Sequence, residues 1–485
     1  MRHLRSLFFL SLLSLAVFSC KNDDPDPDPE GPTGAADIDK YAVKNASDAA
    51  AGWDITKNVT LSADTIWTLK GYIYVKNGVT LTIEPGTIIK GVKGQAGAPA
   101  NADKPGTIIV EKGGKLIANG TAEKPIVFTS SKAAGQRQYG DWGGIVLIGK
   151  AKTNQPASNP FEGGIRGQYG SDDVATDNSG SLKYVRIEFA GTSLSTTANS
   201  EINGLTCYGV GSGTTLEHIQ VSYSGDDSYE WFGGTVNAKY LVAFRGWDDD
   251  FDTDNGFSGK IQFGVSLRDT AVADQSSSNA FESDSDANTT GTEPFTSAVF
   301  ANISVFAANG TPNAVQSSKG SGKYQAAMHL RRQTSLSIFN SVLVGYPQGL
   351  RLDDDRTLAN ATAGNMQLRG IVFSNMTTPV LGAGPSGHAV TNDQAIAFFD
   401  MTDSKNQKAV TLTDLLLNTA NFNLTQPNFL LQANSPLLKD AVWTGKGADT
   451  FFTQTAYRGA FDGTNNWTSG WTNWDPQNTP YEVVQ

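Results

Sequence analysis

The residues of this chain best suited to chemistry are three aromatic–acid dipeptides set among further carboxylates: Tyr229-Glu230, Phe251-Asp252 and Phe281-Glu282. The first two lie 22 residues apart, and the third follows after 30, with a Ser/Asn-rich insertion around Asp274–Asn279 taking up the excess. If each aromatic points into a core, strand alternation turns its acidic neighbour outward. Asp226, Ser228 and Glu230 then form one outward row. Asp248, Asp250, Asp252 and Asp254 form the next, and Glu282, Asp284 and Asp286 the third. Rows would sit about 4.8 Å apart, with neighbours about 6.6 Å apart along a row. Only Lys239 and Arg245 oppose the eight acids between Asp226 and Asp254. Unit charges ~5 Å apart repel by roughly 0.8 kcal/mol even at the dielectric of water. Calcium answers that need, being a hard cation that takes about 6–8 oxygens. Its expected ligands are Asp226, Glu230, Asp248, Asp250, Asp252, Asp254, Glu282 and Asp284. The competing reading has corner acids bonding backbone amides and otherwise facing water. An EF-hand is excluded, because in Asp250-Phe-Asp252-Thr-Asp254-Asn-Gly256 the Gly comes one place late and Ile261 stands where Glu belongs.

Repeating strands must position these acids. Short β-rich runs keep the same step ahead of them: Ile219-Gln-Val-Ser, Leu241-Val-Ala-Phe and Phe263-Gly-Val-Ser. From Ile55 to Asn375, runs such as Tyr72-Ile-Tyr-Val and Thr107-Ile-Ile-Val alternate with tight corners such as Asn77-Gly78 and Pro85-Gly86. A step near 22 residues accommodates three strands and three corners, so the pattern predicts an all-β solenoid, a single-stranded parallel β-helix. Its expected span is 39–375. Residues 376–485 are expected to be final coils and a Trp-rich C-terminal cap, since an open solenoid end is an unpaired edge.

Residues 1–19 carry Arg2 and Arg5 before an apolar run from Leu7 to Phe18, too short to span a bilayer comfortably, and read as a signal peptide. Val17-Phe-Ser-Cys20 resembles a bacterial lipobox, which makes Cys20 the expected lipidation site and outer-membrane lipid a partner. Residues 20–38 form a Pro/Asp/Gly-rich tether. The whole chain has net charge −11, and about −13 without Arg2 and Arg5 (35 basic against 48 acidic residues), which argues against nucleic acid as a partner. With Cys20 lipidated, Cys207 has no disulfide partner and reads as a small core residue. The four histidines, His3, His218, His329 and His388, are too scattered for a zinc site.

Leu81-Thr-Ile-Glu-Pro-Gly-Thr-Ile-Ile-Lys-Gly91, Gly140-Asp-Trp-Gly-Gly-Ile145-Val-Leu-Ile148, Glu201-Ile-Asn-Gly-Leu205 and Asp226 through Gly259 resemble surface lipoproteins of Bacteroidota with a right-handed, pectin-lyase-like parallel β-helix. The resemblance implies a lipid-anchored protein on the outer membrane facing the exterior. It implies far less about activity.

Farther on, Leu330-Arg331 and Leu350-Arg351 lie 20 residues apart, so the anionic face is expected to turn cationic if it continues. Calcium beside Arg and His suits β-elimination from a uronate polysaccharide, with His329, Arg331 or Arg351 as base or charge stabiliser. The set of basic residues that β-helical pectate lyases keep beside their metal cannot be aligned here. Asp226-Asp227 and Asp248-Asp249-Asp250 would serve hydrolysis, but the Gly-His-Gly and Arg-x-Lys that accompany the acids of polygalacturonase-like enzymes have no match in place, since Gly387-His388 is followed by Ala389. The sequence therefore favours a non-catalytic, calcium-shaped glycan-binding surface protein. A calcium-dependent polysaccharide lyase and an accessory subunit of an outer-membrane transporter are the alternatives.

Overall fold

In the computed structural model, the described residues are 34–43, 52–97, 100–170, 172–195, 200–286, 291–307 and 322–482. The expected signal peptide, Cys20 and most of the expected tether lie outside them.

The short runs form strands that stack in parallel on the runs of the next coil. Eleven strands, from Trp53–Ile55 to Thr378–Ala383, make one sheet in strict chain order. A second sheet has 17 strands and is folded along its length. The fold line passes through Tyr184, His218, Tyr240, Phe263 and Asn302, whose φ angles are 50°, 54°, 62°, 63° and 56°. Left-handed backbone is uncommon outside glycine. Here it recurs on five successive coils and stacks the side chains: His218 lies 4.3 Å from Tyr184 and 4.4 Å from Tyr240, ring to ring. The two halves of the folded sheet and the eleven-stranded sheet give three strands per coil, the parallel β-helix that the repeat predicts.

Among the strand runs expected to keep the 22-residue step, the register departs at the third. Leu241 pairs with Gly264, not Phe263, because the corner after Asp254 holds one extra residue. Phe263 consequently joins the fold line, 5.1 Å from Tyr240.

Inward-facing side chains form a continuous apolar core that includes Ile73, Ile108, Ile145, Cys207, Trp231 and Phe251. Cys207 is fully buried among them, which pushes its thiol well above the usual range.

Both ends differ from expectation. Gly34–Asp37, assigned to the tether, pairs in parallel with Thr65–Leu69, and Ile38 is fully buried, so residues 34–38 are part of the coiled body. The strand itself is half-buried at best, and Ile38 just after it is the side chain that enters the core. At the other end the lid is the helix Asn392–Phe399, started by a Thr391/Gln394 capping box, whose Phe399 ring stacks 5.0 Å from Phe373. The Trp-rich tail is not that lid. It runs back along the outside of the coils, with Thr453 bonding Gln262, Asn473 bonding Gln220, and Tyr481 bonding Glu188. Trp471 packs edgewise on the fold-line ring His218 and Trp467 packs tilted on Tyr240, which explains why the tail is so aromatic.

Candidate functional site

The aromatic–acid pairs fall in register on the eleven-stranded sheet. Tyr229 pairs with Phe251 and Phe251 with Phe281, while Glu230 pairs with Asp252 and Asp252 with Glu282. The three rings are fully buried, 5.7 and 5.3 Å apart along the stack. Their acidic neighbours share the outer wall. That ladder continues through His329 and Arg351, so the wall does turn from anionic to cationic.

Over the acidic part lies a cleft of about 780 Å³. Its floor carries Asp226, Asp227, Glu230, Asp248, Asp249, Asp252 and Glu282, and its walls add Glu162, Glu201 and Asp274 from inserted loops. No Lys or Arg is among the lining residues. Three sets each bring one carboxylate oxygen per residue within 4.8 Å of the others: Asp226/Asp227/Asp248, Asp227/Glu230/Asp252 and Asp249/Asp252/Glu282. Oδ1 of Asp248 and Oδ1 of Asp252 are buried and accept no hydrogen bond. Ser276 is the hydroxyl donor at the rim, with Asp248 Oδ2 at 2.9 Å and Asp274 Oδ2 at 2.7 Å, yet it has one proton for the two.

Burial, then repulsion from neighbouring acids, pushes the carboxyls of Asp226, Asp227, Glu230, Asp249 and Asp252 well above their usual range. The same causes bring Asp248 up to about 7 and Glu162 to about 8. Asp226, Asp248 and Asp252 are only half-buried, so water reaching the cleft tempers the effect.

Of the eight acids expected to hold metal, Asp226, Glu230, Asp248, Asp252 and Glu282 meet in this cleft. Asp250 does not. It is fully buried on the core side, 2.9 Å from the equally buried Arg268, and it accepts from Ser266 Oγ. The strand begins only at Phe251, so alternation does not extend back through the corner that holds Asp248–Asp250. Asp284 is clamped by Arg331 Nε at 2.7 Å and by Arg332. Asp254 lies beyond the lining, where burial and Asp284 push it up to about 7.

Asp227, Asp249, Glu162, Glu201 and Asp274 belong to the cleft although the row pattern omits them. Asp227 and Asp249 occupy one corner position on consecutive coils. Asp227 Oδ1 accepts the Asp249 N–H at 2.8 Å, and Asp249 Oδ1 accepts the Asn279 N–H. Corner acids thus do bond backbone amides with one oxygen each, and Asp249 Oδ2 also accepts from Asn279 Nδ2 at 3.4 Å. The wall acids sit on insertions outside the repeat, where no periodic signal reaches them.

The basic candidates lie at the cationic end. His329 is 3.2 Å from Glu282 and 3.2 Å from Asp353, and Arg351 Nε is 3.3 Å from His329 Nε2. Burial opposes charge on His329, but Asp353 and Glu282 outweigh it and raise its pKa. Arg331 reaches Glu282 at 2.7 Å as well as Asp284, and these partners outweigh burial and hold it firmly protonated. Glu282 is held below its usual range in spite of burial, by His329 and Arg331. These basic groups lie against acids, which favour their charged forms and oppose a role as proton acceptor.

A family model described as a pectate-lyase like beta helix domain matches residues 53–472. No curated protein matches the chain, and no solved structure does.

Proposed function

The chain belongs to the pectate-lyase like beta helix family, and from that premise we propose a lipid-anchored outer-membrane protein whose acidic cleft binds calcium and, through it, an anionic glycan. The observation that carries the metal reading is the convergence of ten carboxylates on one cleft with no basic lining residue, two of them bearing buried oxygens without a donor. Full ionisation there is untenable without a counter-charge, and calcium supplies one with the oxygen chemistry present. A bound cation at the cleft floor offers its open positions to carboxylates of a polysaccharide. Among the described residues the large apolar side chains left exposed are Val43, Val174 and Met401, separate in sequence, which weighs against docking through a broad apolar patch. Anchoring rests on the lipobox-like run ending at Cys20.

Calorimetric titration of the purified chain with calcium tests the metal. A saturable exotherm or endotherm with a matching rise in Tm supports it, and neither at millimolar calcium removes it. Glycan arrays with and without calcium test the ligand, and loss of acyl labelling in Cys20→Ser tests the anchor.

Lyase action has one observation in its favour: inserted loops wall the cleft and Arg331 stands at its end against Glu282. Acidic polysaccharides that gain absorbance from unsaturated products in a calcium-dependent way, and lose it in Arg331→Ala, would establish that reading instead.

A further inference from the structure

We propose that a second cleft, between the last coils and the returning tail, is a binding site for an oxyanion, built on Arg369 and Arg458. This cleft of about 1010 Å³ is lined by Arg369, Lys405 and Arg458 against Asp403 and Asp440, an unusual local balance in a chain of net charge −11. Neither arginine has a carboxylate in ion-pair contact among the described residues. Arg458 is 3 % exposed; its Nη1 reaches the amide oxygen of Gln407 at 3.3 Å, while its Nε–H is buried without an acceptor. Arg369 repeats the pattern: Nη1 donates to the Asp403 carbonyl at 3.2 Å, and Nε is buried without an acceptor.

Buried donors of a charged group are seldom left unmade, because their desolvation is not recovered. Two guanidinium groups lining one cavity without a carboxylate partner point to an anionic ligand that supplies one. Planar forked donors suit the paired oxygens of a carboxylate, sulfate or phosphate. Half-buried Trp443, fixed by its Nε1–H on the Thr455 carbonyl at 2.7 Å, adds apolar wall for the body of such a molecule.

The arrangement is pre-formed by Asn340, which sits at φ 49°. Its N–H donates to the Arg369 carbonyl at 2.8 Å, its carbonyl accepts from Gly459 at 2.7 Å, and its side-chain amide exchanges two bonds with Val442. One residue therefore locks together the segments carrying Arg369, Arg458 and Trp443. The strand Leu368–Arg369 belongs to the folded sheet, so this site is separate from the acidic cleft on the eleven-stranded sheet. Burial lowers the Arg458 pKa, opposed by Asp440, and a bound anion would add to that opposition.

The test uses the purified chain in EDTA at constant ionic strength, titrated with acetate, sulfate and phosphate against chloride. EDTA keeps the result independent of the calcium reading. We expect at least one oxyanion to bind saturably and to raise Tm beyond the chloride control. Affinity should fall at least tenfold in Arg369→Gln and in Arg458→Gln, and rise several-fold in Asp440→Asn. A response to acetate alone identifies a carboxylate ligand; one to sulfate or phosphate identifies a tetrahedral one. Should Arg458→Gln fail to fold, Arg369→Gln and the exposed Asp440→Asn carry the test. The proposal is overturned if no oxyanion exceeds chloride, or if the folded variants titrate as the parent does.

Discussion

Asp252→Asn separates a cation cleft from an ordinary acidic surface, because it should move two properties in opposite directions. Asp252 belongs to two of the three oxygen triads, and its Oδ1 is buried without a donor. A pair of carboxylates with oxygens 4.8 Å apart repels by about 3.5 kcal/mol at an effective dielectric near 20. Neighbouring protons and water in the open cleft reduce that to about 1–3 kcal/mol relieved by the substitution. For a chain of this length a kilocalorie corresponds to about 1–2 °C in Tm, so Asp252→Asn in EDTA at pH 8 should melt about 2–4 °C higher than the parent. The pH dependence has a definite sign. The folded-state carboxyls titrate above their unfolded values, so in EDTA the folded chain holds protons that the unfolded chain has released above about pH 4, up to about pH 7 in the case of Asp248. Their stabilising contribution is complete below about pH 4 and is lost as pH rises through the raised folded-state values, about 7 for Asp248. Asp252→Asn should flatten that decline. Saturating calcium, at 100 times its Kd, adds about 2.7 kcal/mol to the parent at pH 8 and much less at pH 5, where protons compete. In the variant, calcium affinity should drop at least tenfold. Scanning calorimetry at pH 5 and 8, with calcium and with EDTA, reads every term. A variant less stable than its parent in EDTA at pH 8, with undiminished calcium response, would refute the reasoning.

Other expectations concern residues outside the cleft. Asp250→Asn should leave calcium affinity within about twofold of the parent, whereas Arg268→Met, which strands a buried Asp250, should cost about 3–5 kcal/mol in urea unfolding. Burial lowers His218 to about 4 between its two tyrosines; a depressed imidazole loses stability as pH falls from its unfolded value of about 6.5 towards 4, so His218→Phe should gain stability over the parent at pH 4.5 relative to pH 7.5 in melts at both values. Cys207 should resist a thiol reagent in the native chain and react within the unfolding time on adding denaturant, and fast native labelling would contradict its core position.

Much of the architecture is legible in the residues because a stacked coil repeats its own spacing. The 22-residue step between Tyr229 and Phe251, and the 30-residue step to Phe281, are the observed register. Alternation within those strands correctly sends Glu230, Asp252 and Glu282 to one wall. It fails at Asp250, one residue before its strand begins, and the 22-residue step fails at Phe263, which a longer corner displaces by one residue.

Local spacing and alternation, then, determine which side chains share a strand face, since each is set by backbone geometry within a coil. They determine nothing about insertions or about returns of the chain. Only the folded molecule brings Glu162, Glu201 and Asp274 over the floor of the acidic cleft, turns Arg331 onto Glu282, and lays the tail along the coils so that Arg458 and Arg369 meet one cavity. Those contacts join residues up to hundreds of positions apart through non-repeating loops, whose paths are set by packing and charge in three dimensions and by no period in the chain.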